Sequence, residues 1–184
     1  MQSVEPTPAL SVRRIVITGI LAAIAILLGV TRLGFIPVPN LSGNATVMHV
    51  PAIIGGVMEG PLVGLLVGLI FGIFSFFQAT VPPFKDPLVF VFPPLFIGVV
   101  AYYTYASLRG RNEYLALIVS GVLGTLTNTV LVLGMAILRG YLTLPAVIPI
   151  IPQAIAEMFF AAAITVAVVA AWKNIEGGRK GSSV

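Results

Sequence analysis

The chain has 184 residues and a net charge of +4; 58% of the residues are hydrophobic, 9% are charged, and the mean hydropathy is +1.08. This composition excludes a water-soluble domain, because too few polar residues are present to cover its surface. The absence of cysteine excludes disulfides, thiolate metal sites and cysteine nucleophiles. The sequence therefore predicts an integral membrane protein of the all-α class, since helices satisfy their own backbone hydrogen bonds in lipid.

Six apolar segments approach the length that a helix needs to cross a bilayer. They run from Ile15 to Val30, Ala45 to Met58, Leu62 to Ala79, Leu88 to Leu108, Tyr114 to Leu138 and Val147 to Trp172. The predicted organisation is a cytoplasmic tail over residues 1–13, a six-helix bundle over residues 14–172 and a basic cytoplasmic tail over residues 173–184. The second segment would rise only about 21 Å as a helix, and it could instead be a re-entrant hairpin.

Arginine and lysine positions decide between these alternatives, because the cytoplasmic flanks of membrane spans collect both residue types. Six spans with an inner N-terminus place seven basic residues inside and three outside. The inner residues are Arg13, Arg14, Arg109, Arg111, Lys173, Arg179 and Lys180, and the outer residues are Arg32, Lys85 and Arg139. A re-entrant second segment would leave six of the ten outside. The distribution therefore predicts six spans, with both chain ends in the cytoplasm.

Prolines are concentrated at the end of the bundle that is predicted to be outside. Eleven of the twelve prolines beyond the N-terminal tail lie in outer loops or at outer helix ends, whereas Pro61 lies inside. Some of them start helices. Irregular backbone at membrane depth, however, persists only where protein or a watery cavity satisfies it. The prolines therefore predict a cavity that opens outward.

Two stripes of small residues indicate close helix packing. The third segment repeats glycine every four residues, at Gly60, Gly64, Gly68 and Gly72. The first segment carries a similar stripe, which consists of Thr18, Ala22, Ala25 and Gly29, with Gly19 and Ala23 alongside. Internal packing explains either stripe. The stripe on the first helix could equally be a docking face for another membrane subunit.

Polar residues within the spans are candidates for function, because each must find a partner in hydrocarbon. Gln153 and Glu157 share a face of the last span, and Asn128 shares a face of the fifth span with Thr125 and Thr129. These two faces could converge on a buried ligand. Alternatively, Asn128 and Glu157 hydrogen-bond each other and only hold the helices together.

Other candidate residues lie near the outer end. His49, beside Pro51, could brace the first outer loop or touch a ligand. Phenylalanines that could stack on an aromatic ligand, or contact lipid, are Phe76, Phe77, Phe90 and Phe92. The chain carries no G-x-x-x-x-G-K-[ST] loop for ATP and no H-E-x-x-H or other paired metal-ligand motif. One histidine and few carboxylates provide few titratable groups for catalysis or for a proton relay.

Several strings resemble a known family. They are similar to the substrate-binding S component of energy-coupling factor (ECF) transporters, in the vitamin branch with pantothenate- and folate-type members. The strings are "GFIPVPN", "MHVPAIIGGVMEGPLVGLLVGLIFGIFSF", "FKDPLVFVFPP", "GTLTNTVLVLG" and "IPQAIAEMFFAA". The resemblance runs from Arg13 to about Trp172. It implies a multi-pass protein of a prokaryotic plasma membrane that binds a water-soluble vitamin of the pantothenate, folate or riboflavin class. It also implies docking on a coupling subunit with two ATPases, no ATPase activity of its own and no cofactor.

The resemblance also implies roles for individual residues. The first outer loop would act as a lid, with Asn40, Asn44, Thr46 and His49 as contacts. Asn128, Gln153 and Glu157 would make polar contacts to the vitamin, and Phe90 and Phe92 would cover its apolar part. An anionic vitamin would need a cation from Lys85, Arg32 or Arg139. The implied coupling interface is Thr18, Ala22, Ala23, Ala25 and Gly29. The alternatives are a self-sufficient transporter or channel for a small metabolite and, less favoured, a membrane-embedded enzyme.

Overall fold

The computed structural model describes residues 11–37, 44–78 and 85–181. The helices are α1 (Val12–Val30), α2 (Val50–Glu59), α3 (Pro61–Gln78), α4 (Pro87–Phe90), α5 (Pro94–Leu108), α6 (Glu113–Leu138), α7 (Leu144–Val147) and α8 (Ile151–Gly181), with a 3-10 turn at Ile148–Ile150. Two short strands, β1 (Phe35–Pro37) and β2 (Asn44–Thr46), pair antiparallel with Phe35 opposite Thr46. The sequence analysis did not predict this hairpin.

The chain forms the predicted all-α bundle of six segments. Among the described residues, five apolar helices are long enough to cross a membrane: α1, α3, α6, the combined helix Pro87–Leu108 and the combined helix Leu144–Ile175. The sixth segment is the short apolar helix α2. The helix α8 continues to Gly181, so residues 173–181 of the predicted basic tail are helical.

Local capping explains where several helices begin. The side chain of Ser11 accepts a hydrogen bond from the Arg14 amide at the start of α1, and Asn112 does the same for Leu115 at the start of α6. Pro61 begins α3 directly after Gly60, which has a φ of 103°. Glycine adopts this left-handed backbone conformation without steric cost, so the chain reverses between α2 and α3 within one residue.

The second segment crosses the bundle. Nη2 of Arg13, at the start of α1, lies 3.0 Å from Oε1 of Glu59, at the end of α2. Because α1 runs away from this end and α2 returns to it, the re-entrant alternative is wrong. We call the end that carries residues 11–14 and 173–181 the inner end and the opposite end the outer end, following the predicted sidedness.

The crossing is made partly by extended chain, so the prediction of one helix from Ala45 to Met58 is wrong in its extent. The helix α2 has ten residues and rises about 15 Å. Residues 44–49 form β2 and a turn instead of helix. The turn is stabilised by hydrogen bonds from the Val47 amide to Gly34 O (2.9 Å) and from the Met48 amide to Thr46 Oγ1 (3.2 Å). Proline is favoured in a first helical turn, so Pro51 marks the helix start.

The helix α2 lies at the centre of the bundle. Residues 50–57 are all buried, and they pack against α1, α3, α5, α6 and α8. Three glycines bring the backbones of α2, α3 and α5 into direct contact: a Cβ atom on Gly64 would lie 2.8 Å from the Cα atoms of both Gly56 and Gly98, and one on Gly56 would collide with Gly98 O. Gly64, Gly68 and Gly72 of the predicted stripe thus pack internally, whereas Gly60 precedes α3 and an added Cβ there would meet no atom within 4 Å.

The first prediction concerns this backbone contact. We expect Gly56→Ala to lower the free energy of unfolding by at least about 1–3 kcal/mol, because the added methyl group meets backbone atoms that cannot rotate away. The matched control is Gly134→Ala on α6, where an added Cβ meets no atom within 4 Å; it should change stability by less than about 1 kcal/mol. Thermal unfolding in detergent measures both variants, and equal stability of the two would contradict the proposed packing.

Candidate functional site

Glu157 joins α8 to the hairpin at the outer half of the bundle. Its Oε1 accepts one hydrogen bond from the Thr46 amide of β2 (2.9 Å) and one from Gln153 Nε2, one helical turn away (3.1 Å). Glu157 is only 7% exposed. The structure therefore brings together three predicted site residues, Thr46, Gln153 and Glu157. The partner of Glu157 is backbone from a residue 111 positions earlier, which no local sequence pattern reveals.

His49 connects the turn before α2 to α6. Its Nε2 lies 2.8 Å from Thr125 Oγ1. The Thr125 hydroxyl donates its single proton to Gly121 O (2.9 Å), so the network assigns the proton of this contact to His49 Nε2. His49 is 1% exposed, and its Nδ1 has no hydrogen-bond partner among the described residues. His49 thus braces the first outer loop, and it retains one buried acceptor.

Asn128 lies one helical turn beyond Thr125 toward the outer end. A Cβ atom on Gly121 would lie 2.7 Å from Ala162 Cα, and this close approach sets the register between α6 and α8. Counting outward along both helices from that contact places Asn128 beside residue 155, between Gln153 and Glu157. Asn128 Oδ1 is buried without a hydrogen-bond partner in the described part of the chain. The two hydrogen bonds that Glu157 Oε1 accepts within the described part of the chain come from Thr46 and Gln153 and not from Asn128 Nδ2, so the pair that the sequence left open is not formed there.

The other predicted contacts lie outside this cluster. Asn40 is not among the described residues, and Asn44 lies in β2 opposite Pro37. Lys85 is exposed before α4. Phe90 is half-buried; Phe92 is 37% exposed, and its ring centroid lies 5.0 Å from that of Phe96. No hydrogen bond or ion pair between described residues joins Lys85 to the cluster around Glu157.

Asp86 anchors the segment before α4, a role that the sequence analysis missed. Its Oδ1 accepts a hydrogen bond from the Leu88 amide (3.0 Å), and its Oδ2 accepts from Arg139 Nε (2.7 Å) and Tyr141 OH (3.3 Å). The hydrogen bond from Arg139 lowers the pKa of the Asp86 carboxyl group, and Asp86 raises the pKa of Arg139. Arg139 is therefore engaged by a carboxylate. The signal in the sequence was aspartate directly before proline, which is typical of a helix N-cap.

The predicted coupling interface lies mostly within this chain. Thr18, Ala22, Ala25 and Gly29 are buried, and Gly29 faces Met48 and Phe74. Internal packing is thus the role that the structure gives to these four residues. Ala23 is exposed, as is Gly19, where an added Cβ would meet no atom within 4 Å. A docking face on α1 remains a prediction, and Ala23 is its one predicted member on the surface.

Comparison with known proteins identifies the family of this bundle. A model of the substrate-specific component of ECF transporters matches residues 13–169. The chain belongs to this family. Its fold is similar to the solved structure of the S component of a bacterial ECF transporter, with a TM-score of 0.64, 19% sequence identity and coverage of 89% of this chain and 96% of that one. A search of curated proteins gives no significant match.

The family gives the general role of the chain. An S component is a multi-pass, substrate-binding subunit of a transporter, which works with coupling and ATPase components. In this S component the outer cluster is closed, because His49 and Glu157 are shielded from solvent. Two cavities lie at the inner end. The cavity that opens outward remains a prediction.

A second prediction tests the brace between His49 and α6. Thr125→Val keeps the side-chain shape but removes the acceptor for His49 Nε2, which leaves a buried donor unpaired. We expect a loss of about 1–3 kcal/mol in the free energy of unfolding. Thr127→Val is the matched control, because the Thr127 hydroxyl bonds only to Leu123 O on its own helix. Both free energies of unfolding are measured in detergent. Equal values for the two variants would contradict this role of Thr125.

Proposed function

We propose that this S component captures a water-soluble vitamin of the pantothenate, folate or riboflavin class at the outer face of a prokaryotic plasma membrane. A coupling subunit and two ATPases then drive its delivery into the cell. The observation that carries the proposal is the buried carboxylate of Glu157, which the lid backbone and Gln153 satisfy from two directions.

Glu157 is suited to exchange one partner for another. A carboxylate within a membrane span is costly unless it is hydrogen-bonded, so Glu157 needs donors at all times. In the closed state the Thr46 amide supplies one donor. The hydroxyl, amide or ring N–H groups of these vitamins supply equivalent donors. A vitamin can therefore replace Thr46 without leaving the carboxylate unpaired.

Asn128 extends this polar surface toward α6. Its Oδ1 is a buried acceptor without a partner in the described part of the chain, and the register between α6 and α8 places it at the level of Gln153 and Glu157. Buried polar atoms without partners are rare in folded proteins, and they are expected where a ligand completes the hydrogen bonding. Asn128, Gln153 and Glu157 are thus our proposed polar contacts to the vitamin.

The hairpin is suited to act as the lid. Two hydrogen bonds between described residues hold it to the bundle, one from the Thr46 amide to Glu157 on α8 and one between His49 and Thr125 on α6. The His49 contact is the deeper, since His49 is 1% exposed and directly precedes the buried helix α2. Release of the Thr46 amide from Glu157 would let β2 move away from α8 while His49 remains in place. Lid opening in this way breaks the hydrogen bond to Glu157 and exposes Ala45, which is fully buried, and the packing of α2 stays intact.

A third prediction tests the substrate site. Mass spectrometry of small molecules that co-purify in detergent should show one vitamin, and calorimetry with pantothenate, folate and riboflavin should identify the same compound. Glu157→Gln should weaken its binding roughly 10- to 100-fold, because the charged acceptor becomes a neutral amide and one of its two oxygens becomes a donor. Glu113→Gln, which removes a carboxylate near the inner end, is the control and should retain binding. Unchanged affinity in Glu157→Gln would remove Glu157 from the site.

A fourth prediction separates the proposed function from a self-sufficient transporter or channel. Vesicles that contain this chain alone should bind the vitamin but should not accumulate it. Vesicles that also contain an ECF coupling subunit and its two ATPases should accumulate the vitamin, but only when ATP is present on the side of the membrane where the ATPases lie. Uptake by the chain alone, without ATP, would contradict the proposal and favour the lone transporter.

A further inference from the structure

The inner end of the bundle contains a groove that the proposed function does not use. It consists of two adjoining cavities of about 260 Å³ and about 150 Å³. Both are lined by Val57, Met58, Tyr105 and Arg109. Five membrane segments meet around this groove, because α1, the end of α2, the start of α3, α5 and α8 all contribute to its walls.

The groove carries an excess of positive charge. Four cationic side chains line it: Arg13, Arg14, Arg109 and Lys173. Two carboxylates offset part of this charge, since Glu59 lies 3.0 Å from Arg13 and Glu113 contacts Lys173 directly. Among the described residues, the four cationic side chains that line the groove exceed these two carboxylates by two. A cavity at the end of a membrane span with such an excess attracts anions from the membrane surface.

Arg109 is the side chain best placed to meet an anion there. It is exposed beyond the last turn of α5 and lines both cavities. Its guanidinium carbon lies 6.0 Å from the centre of the Tyr105 ring. The hydroxyl group of that ring accepts a hydrogen bond from Lys173 Nζ (2.7 Å). The planar donors of arginine match the oxygens of a phosphate group, so Arg109 provides both charge and geometry.

Aromatic and apolar surface surrounds this charged groove. Tyr102 lines the larger cavity, and Trp172, which is 42% exposed, lines the smaller one. Tryptophan and tyrosine favour the level of the lipid headgroups, where the ring contacts acyl chains and the polar edge contacts water. On α1 beside the groove, Val12 and Val16 are exposed. A molecule with a phosphate head and an apolar tail therefore finds both of its parts matched.

We propose that this inner groove is a binding site for a phosphate-bearing anion, which the headgroup of an anionic phospholipid in the adjoining leaflet supplies. The phosphate lies against Arg109 and Arg14, and the acyl chains follow the exposed apolar side of α1. Such a lipid contacts α1, α5 and the turn between α2 and α3 at once, so its binding stabilises the folded bundle. The site is separate from the cluster around Glu157, which lies at the other end.

Binding to delipidated protein in detergent tests this site. Native mass spectrometry and thermal unfolding are measured with added phosphatidylglycerol, with phosphatidylcholine and with inorganic phosphate. We expect the wild type to retain phosphatidylglycerol in preference to phosphatidylcholine and to unfold at a higher temperature with it. Arg109→Gln should weaken this binding roughly tenfold or more, because a charge-assisted hydrogen bond is lost. Arg14→Gln should weaken it as well.

Arg111→Gln is the matched control, because Arg111 is exposed two residues away and lines neither cavity. It should bind phosphatidylglycerol as the wild type does. A response to inorganic phosphate that Arg109→Gln abolishes, without any response to the lipid, would support the phosphate site and assign it to a soluble ligand. Equal losses in Arg109→Gln and Arg111→Gln, or no preference for phosphatidylglycerol, would overturn the proposal. Thermal unfolding without lipid shows whether each variant is folded.

Discussion

The close approach of three backbones at Gly56, Gly64 and Gly98 is the constraint on which the rest of the structure depends. Only residues without side chains allow α3 and α5 to approach α2 closely enough to enclose it. An enclosed helix has no face toward lipid, so it need not match the thickness of the bilayer. Ten helical residues then suffice, and residues 44–49 complete the crossing as a short strand and a turn.

The extended half of this segment creates the chemistry of the outer end. A helix would satisfy its amides within itself, whereas β2 presents the Thr46 amide to a side chain on another segment. Glu157 accepts it and is thereby tolerated in a membrane span. The same chain places His49 against Thr125. The short length of α2 and the buried polar cluster therefore have one cause.

Hydropathy predicted the number of segments, the positions of basic residues predicted that the second one crosses, and the spacing of small residues predicted the glycine contacts of α3. These three signals can be read from short stretches of sequence. The start of α2 was predicted wrongly, because residues 45–49 adjoin an apolar run and were taken as helix, whereas residues 44–46 pair with β1 and the next residues form a turn. Partners such as Thr46 for Glu157 and Arg139 for Asp86 are 111 and 53 residues apart, and only the folded bundle reveals them. The stripe on α1 indicated close packing but could not say which surface it meets.

The enclosure of α2 also bears on how a substrate would travel. A ligand held at Glu157 could reach the inner end only along the centre of the bundle, where Gly56, Gly64 and Gly98 leave no space between backbones. Separating these helices would break the contacts that make α2 possible. The hairpin, by contrast, meets α8 through β2, where the Thr46 amide donates to Glu157. Moving the hairpin outward leaves the packing of α2, α3 and α5 in place, whereas opening through the centre breaks it, which favours a chain that binds by itself and depends on a partner for delivery.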